Sequence, residues 1–204
     1  MRNKRFLLDS CNVYRDLDLK TIDTALTPEK LKAASLGITK GGTPFEAIPD
    51  IREIEFNGKL DRKVKGMERI VGWSAKVECE LMEYVGKNLE CALMTKKENA
   101  STKYDQYTGQ SDIELLNYKN VVLVGRVWDT QDPIIIEILN SYNGAGISIT
   151  GEDKNEGSIK MSFEGHYDLD NPSEAPFNIY FPKQTTAGKT VLEKYQLPEE
   201  VEKL

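Results

Sequence analysis

The sequence predicts a mainly β protein, an antiparallel β-sandwich or barrel of about seven strands with one flanking α-helix and extended N- and C-terminal arms. Three observations carry that expectation. From residue 71 onward Val71, Trp73, Ala75, Val77, Cys79 and Leu81 alternate with Ser74, Lys76, Glu78 and Glu80. This is the period of a strand packed on one face and wetted on the other. Strand-like runs then recur down the chain, separated by Asn57-Gly58, Asp132-Pro133, Asn143-Gly144 and Pro172, all residues that favour turns. Directly after residue 81 the period changes from 2 to 3.6, because Val85, Leu89, Ala92 and Leu93 recur at helical spacing within residues 83–94.

Taken in order, residues 1–36 read as an N-terminal arm. Thr27 caps a helical stretch with Pro28 at its first position and residues 30–35 following, and the sequence before it is irregular and lacks a complete apolar face. Residues 37–182 form the sandwich domain, with strands expected at 51–56, 69–81, 121–128, 134–139, 147–150, 159–167 and 177–181. In the sixth of these, Ile159, Met161, Phe163 and Tyr167 fall on one face, and Lys160, Ser162, Glu164 and His166 on the other. Asn143-Gly144 predicts a hairpin joining 134–139 to 147–150. Residues 95–118 contain the polar run 96–103 and read as a long loop, too polar for a central strand. Residues 183–204 form a C-terminal arm whose apolar residues are few and whose end is charged, Glu199-Glu200-Val201-Glu202-Lys203. Core and helix packing is assigned to Trp73, Val77, Leu81, Val85, Leu89, Leu93 and Trp128.

Composition narrows the function classes. The chain has 204 residues, 39% of them hydrophobic and 29% charged, enough to bury one good core. No apolar run approaches the length of a membrane span, and Phe6-Leu7-Leu8 is cut short by Asp9, too soon for a signal-peptide core. Cys11, Cys79 and Cys91 are odd in number and unpaired in spacing, which fits a reduced, cytosolic protein. A formal charge of −6 lacks the basic excess of proteins that grip nucleic acid through its phosphates.

Catalytic and metal signatures are missing from the sequence. His166 is the one histidine and lies in an alternating strand, no nucleophile elbow accompanies it, and three scattered cysteines do not make a zinc site. Gly188-Lys189-Thr190 imitates the end of a phosphate loop, but Lys183 stands where the earlier glycine belongs. Asp153-Lys154-Asn155-Glu156-Gly157 begins like a calcium loop without its later glutamate. The expectation is a chain that is not an enzyme, has no cofactor and binds no metal.

The order and spacing of several segments carry a resemblance. Ile38-Thr39-Lys40-Gly41-Gly42-Thr43-Pro44-Phe45-Glu46 is followed by Asp50-Ile51-Arg52-Glu53-Ile54-Glu55-Phe56-Asn57-Gly58, then by Lys65-Gly66-Met67-Glu68-Arg69-Ile70 and the amphipathic strand and helix. Near the end come Phe163-Glu164-Gly165-His166-Tyr167-Asp168 and Pro176-Phe177-Asn178-Ile179-Tyr180-Phe181-Pro182. This succession resembles the major tail tube proteins of long-tailed bacteriophages, and it is weakest between residues 96 and 117. The resemblance implies a structural virion protein that polymerises as stacked hexameric rings around a tape-measure protein, forming a conduit for DNA. Its implied partners are further copies of itself, the tape-measure protein, a tail terminator and distal tail or baseplate proteins, with DNA as transiting cargo. Lys76, Glu78 and Glu80, the polar positions of the best amphipathic strand, are the candidates for the lumenal face. The arms and the long loop are the candidates for ring-to-ring contact, with the N-terminal arm ordering only on assembly. The rival readings are a tail terminator, a tube protein of a contractile particle, or a cytosolic β-sandwich ligand-binding module.

Overall fold

The computed structural model describes residues 7–59, 61–98, 101–127, 132–152 and 155–183. The fold is an antiparallel β-sandwich, as the alternation predicts. In chain order the elements are β1 (Leu7–Arg15), α1 (Ile22–Ala25), α2 (Pro28–Ala34), β2 (Thr39–Lys40), β3 (Phe45–Glu53), β4 (Glu68–Leu81) and α3 (Gly86–Cys91). There follow β5 (Met94–Lys97), β6 (Gln106–Gly109), β7 (Lys119–Val127), β8 (Ile134–Asn143), β9 (Ser148–Glu152), β10 (Asn155–Glu164) and β11 (Phe177–Tyr180).

One sheet runs β1-β7-β8-β11 and the other is built on β10 and β4, flanked by β2 and β3 on one side and by β9 on the other. Strand β8 belongs to both. Its first half pairs with β7 and β11 at Ile138, and its end pairs with β10 through Asn143↔Phe163 and Tyr142↔Glu164. The crossing is made at Asn140, whose φ of 49° puts it in the left-handed region that Asn tolerates better than most residues. His166 staples the bend: its backbone N–H donates to Leu139 O at 3.2 Å, its Nδ1 lies 3.0 Å from Asn140 O, and its ring stacks on Tyr142.

Between the sheets lies an apolar layer made of alternate residues of both. Val77, Cys79 and Leu81 of β4 and Ile159, Met161 and Phe163 of β10 face Val13 of β1, Val121 and Leu123 of β7 and Ile138 of β8. The opposite face of the first sheet is also covered. Tyr14, Val122 and Ile135 pack there against Leu17, Leu19, Ala25 and Ala34. Glu137, buried on that face, accepts hydrogen bonds from Asn120 Nδ2, Asn178 Nδ2 and Tyr180 OH, so that three donors from the two neighbouring strands β7 and β11 satisfy one carboxylate.

Several sequence expectations are corrected here. The segment expected as an N-terminal arm, where described, is part of the body, because β1 pairs with β7 and residues 17–36 form the second core layer. A strand buried on both faces loses its alternation, and the register shift between Leu8 and Asn12 erases what remains, so β1 carries no period to read. The capped helix within that segment does form, with Thr27 accepting the Lys30 N–H and Pro28 in the first turn. Residues 95–118 are not a long loop: β5 and β6 pair from Met94↔Gly109 to Lys97↔Gln106, and a single 3-10 turn follows at Leu115–Asn117. Asn143-Gly144 does make a turn, but β8 and β9 do not pair with each other, and both instead lie along β10. The Asn143 side chain holds that turn by accepting from Ala145 N and Ser162 N and donating to Gly146 O.

The helix expected over 83–94 contracts to Gly86–Cys91. Val85 is its extended N-cap residue and is exposed, Leu89 is half-buried, and Leu93 has a φ of 57° that turns the chain into β5. Its buried face is instead Asn88 and Cys91. Asn88 Nδ2 donates to Leu36 O at 3.1 Å and Glu83 O at 2.9 Å, so a polar side chain ties α3 to the connections on both sides. Trp128 lies outside the described residues, as do residues 184–204 of the expected C-terminal arm.

Candidate functional surface

The polar side of β4 and β10 forms one continuous face. Register places Glu46, Lys76 and Glu164 in one row across β3, β4 and β10, Glu78 beside Ser162 in the next, and Lys40, Glu80 and Lys160 in a third. Opposite charges therefore meet across strands, an arrangement that stabilises adjacent strands. Lys76 Nζ lies 2.5 Å from Glu78 Oε1, and Lys160 Nζ lies 3.1 Å from Glu80 Oε1. The hydrogen bond that Lys76 donates to Glu78, with the charges of Glu78, Glu46 and Glu164, raises the Lys76 pKa above its ordinary value. The three residues singled out in the sequence are thus neighbours on one exposed, charge-compensated surface, backed by Ala75, Val77, Cys79 and Leu81. Sequence reasoning missed the other half of that surface: Lys40, Glu46, Lys160 and Glu164 join it only through pairing between distant strands.

Among the described residues β9 pairs only with β10, β3 only with β4, and β11 only with β8. Their outward backbone groups form the kind of edge onto which another strand can add.

The β3–β4 ribbon runs past the body. Near the body it is anchored by Trp73 and Phe45, each set edge-on against Phe177 of β11, and by the Tyr167 hydroxyl, which accepts the Trp73 N–H. Beyond Trp73 the register slips, so that Asp50↔Gly72 is followed by Ile51↔Ile70 and Val71 becomes the extra residue of a bulge. Val71, expected on the packed face, is exposed, as are Ile48, Ile51, Ile70, Ile54 and Phe56. Trp73 is half-buried at the boundary.

The ribbon's tip is nevertheless ordered around Lys59. Its ammonium group bonds Glu53 Oε2 at 2.5 Å and Glu55 Oε1 at 3.2 Å, and its side chain is 7% exposed. That contact lowers the Glu53 pKa and raises that of Lys59, in each case mainly through the hydrogen bond between them.

The described residues form concavities that include the following two. One of about 170 Å³ is lined by His166, Asn140, Asp168, Asn171, Glu174 and Pro176 beside the β8 bend. The other, about 490 Å³, lies between α2, α3 and the start of β7. There Arg15 donates to Cys91 Sγ at 3.0 Å and to Asn117 O at 2.9 Å, while Lys119 pairs with Asp16. Burial pushes the thiol pKa of Cys79 up to about 12 and that of Cys11 up as well, so those sulfurs behave as small apolar groups. Among the described residues no three His, Cys, Asp or Glu side chains cluster as a metal site would need, and no helix is long and apolar enough to cross a membrane.

No protein-family model matches the chain, and no curated protein matches it.

Proposed function

We propose that this chain is a structural subunit that polymerises, as stacked hexameric rings, into the tail tube of a bacteriophage virion, through which DNA passes. The observation that carries the proposal is the second sheet: one face forms the apolar core, the other is a charge-compensated surface, and among the described residues its outer strands β3 and β9 are each paired on one side only. Copies placed around an axis can join such sheets edge to edge and close a barrel that leaves no free edge. The exposed face then lines the bore. Its rows hold Lys40, Lys76 and Lys160 against Glu46, Glu78, Glu80 and Glu164, a net charge of 3 − 4 = −1. A near-neutral, slightly acidic wall offers DNA no run of cations on which its phosphates could stall. The implied partners are other copies of the chain, a tape-measure protein, and the terminator and distal tail or baseplate proteins that cap the tube.

Negative-stain electron microscopy of the purified protein at rising concentration tests this. Hollow rods or stacked six-fold rings are the expected result. A single stable ring favours a terminator, and compact monomers at every concentration overturn the proposal in favour of a ligand-binding module.

A further inference from the structure

Strand β4 connects two exposed apolar surfaces at opposite ends of the molecule. At its first residue, Glu68, stands the ribbon tip, described at residues 54–59 and 61–67, where Ile54, Phe56 and Met67 are exposed. Beyond its last residue, Leu81, the chain runs through residues 82–85 into α3, and beside α3 lies a shelf formed by Ile113, Leu115 and Leu116, the last two 89% and 78% exposed. Two contacts hold the shelf at that end: Arg15 bridges Cys91 of α3 to the carbonyl of Asn117, and Gln110 N–H donates to Leu93 O. The 14 residues of β4 cover about 43 Å at roughly 3.3 Å per residue, so one copy's tip is far from its own shelf.

The two surfaces match in charge as well as in apolarity. At the tip Glu55, Asp61, Arg62, Lys63 and Lys65 are exposed, a net charge of 3 − 2 = +1. On the shelf Asp112 and Glu114 are exposed, a net charge of −2. Neither surface is disorganised. Lys59 gathers Glu53 and Glu55 at the tip, and the shelf turn is closed by Asn117 Oδ1 accepting the Glu114 N–H and by Asn117 N–H donating to Glu114 O.

We infer that the ribbon tip of one copy docks on the Leu115–Leu116 shelf of another, a head-to-tail contact that propagates along one direction. Head-to-tail contacts whose two halves lie at opposite ends of a subunit build open filaments. The inference rests on the proposed tube only in taking the contact as the one between successive rings. The occupant of the shelf is a second copy of this chain because the complementary apolar, basic surface is part of every copy.

Two double variants test it, Leu115→Asp/Leu116→Asp and Ile54→Asp/Phe56→Asp, each confirmed as folded by its circular dichroism. Each alone is expected to form rings without rods, and rings of the two kinds, mixed after assembly, are expected to pair. Rods at the wild-type level from either variant, or separate rings that never pair on mixing, would overturn the inference. A second measurement stands even if no rings form. Phe56→Cys and Leu116→Cys proteins, mixed at high concentration under mild oxidation, are expected to give mainly the heterotypic disulfide, since the three native thiols are buried. Statistical or absent cross-linking overturns the contact while leaving the tube reading intact. Cross-linking without rings or rods supports the contact and removes the tube reading.

Discussion

Strand β4 has two halves with the same sequence habit and different surroundings. From Ala75 to Leu81 its apolar residues are shut between two sheets, while from Ile70 to Trp73 the apolar residues are exposed or half-buried on a ribbon that only β3 accompanies. Nothing in the alternation separates them. A period-2 pattern states that a face is to be covered, and the neighbours that cover it are decided by pairing at long range. In the lower half the cover is β7, β8 and β1 of the same chain, and the upper half is the stem of the ribbon whose tip the inference docks on another copy.

Substitutions in the two halves should therefore part company. The largest expected effect is in the closed half: Phe163→Ala, across from Val77 and fully buried, should cost about 3–5 kcal/mol in denaturant unfolding of the monomer. Ile70→Ala in the open half should change monomer stability by no more than about 0.5 kcal/mol, yet sharply reduce the sedimentable fraction at high concentration. A large unfolding effect at Ile70 would mean that the ribbon already has its cover.

Next in size is Asn88→Ala. It leaves Leu36 O and Glu83 O without the donor they share in the closed region and should cost about 1–3 kcal/mol by the same measurement.

The tip sharpens the comparison through pH. Glu53, with its pKa below the ordinary 4.5, contributes stability that is present above that value and lost as pH falls through the folded-state pKa. Lys59, with its pKa above the ordinary 10.5, contributes stability present below that value and lost as pH rises through the folded-state pKa. Amide protection across residues 54–67 should therefore form a plateau between pH 4.5 and 10.5 and fall on both sides, and Lys59→Met should abolish the plateau while leaving β10 protected. The smallest effect is expected from Glu78→Gln. Its pair with Lys76 is exposed and screened by solvent, so the thermal unfolding midpoint should barely move.

Strands whose one face meets water were legible in the sequence. The expected 69–81 became Glu68–Leu81, and 177–181 became Phe177–Tyr180. Strand β1 was hidden because Cys11 and Val13 point into one core layer while Tyr14 points into the other. Ribbon β5–β6 was hidden for the opposite reason: residues such as Lys96 and Lys97 are exposed, and no apolar period marks the strand. At the polar surface, alternation alone put Lys76, Glu78 and Glu80 on one face. The balancing Lys160 and Glu164 required the β4–β10 register, which no local pattern encodes.

The most direct measurement is hydrogen exchange along β4 in dilute and in concentrated protein. The account predicts that residues 75–81 are equally protected in both, and that residues 68–73 gain protection only on concentration. Unchanged protection across residues 68–73 at the highest concentration reached would contradict it, because the open half would then have no cover to gain.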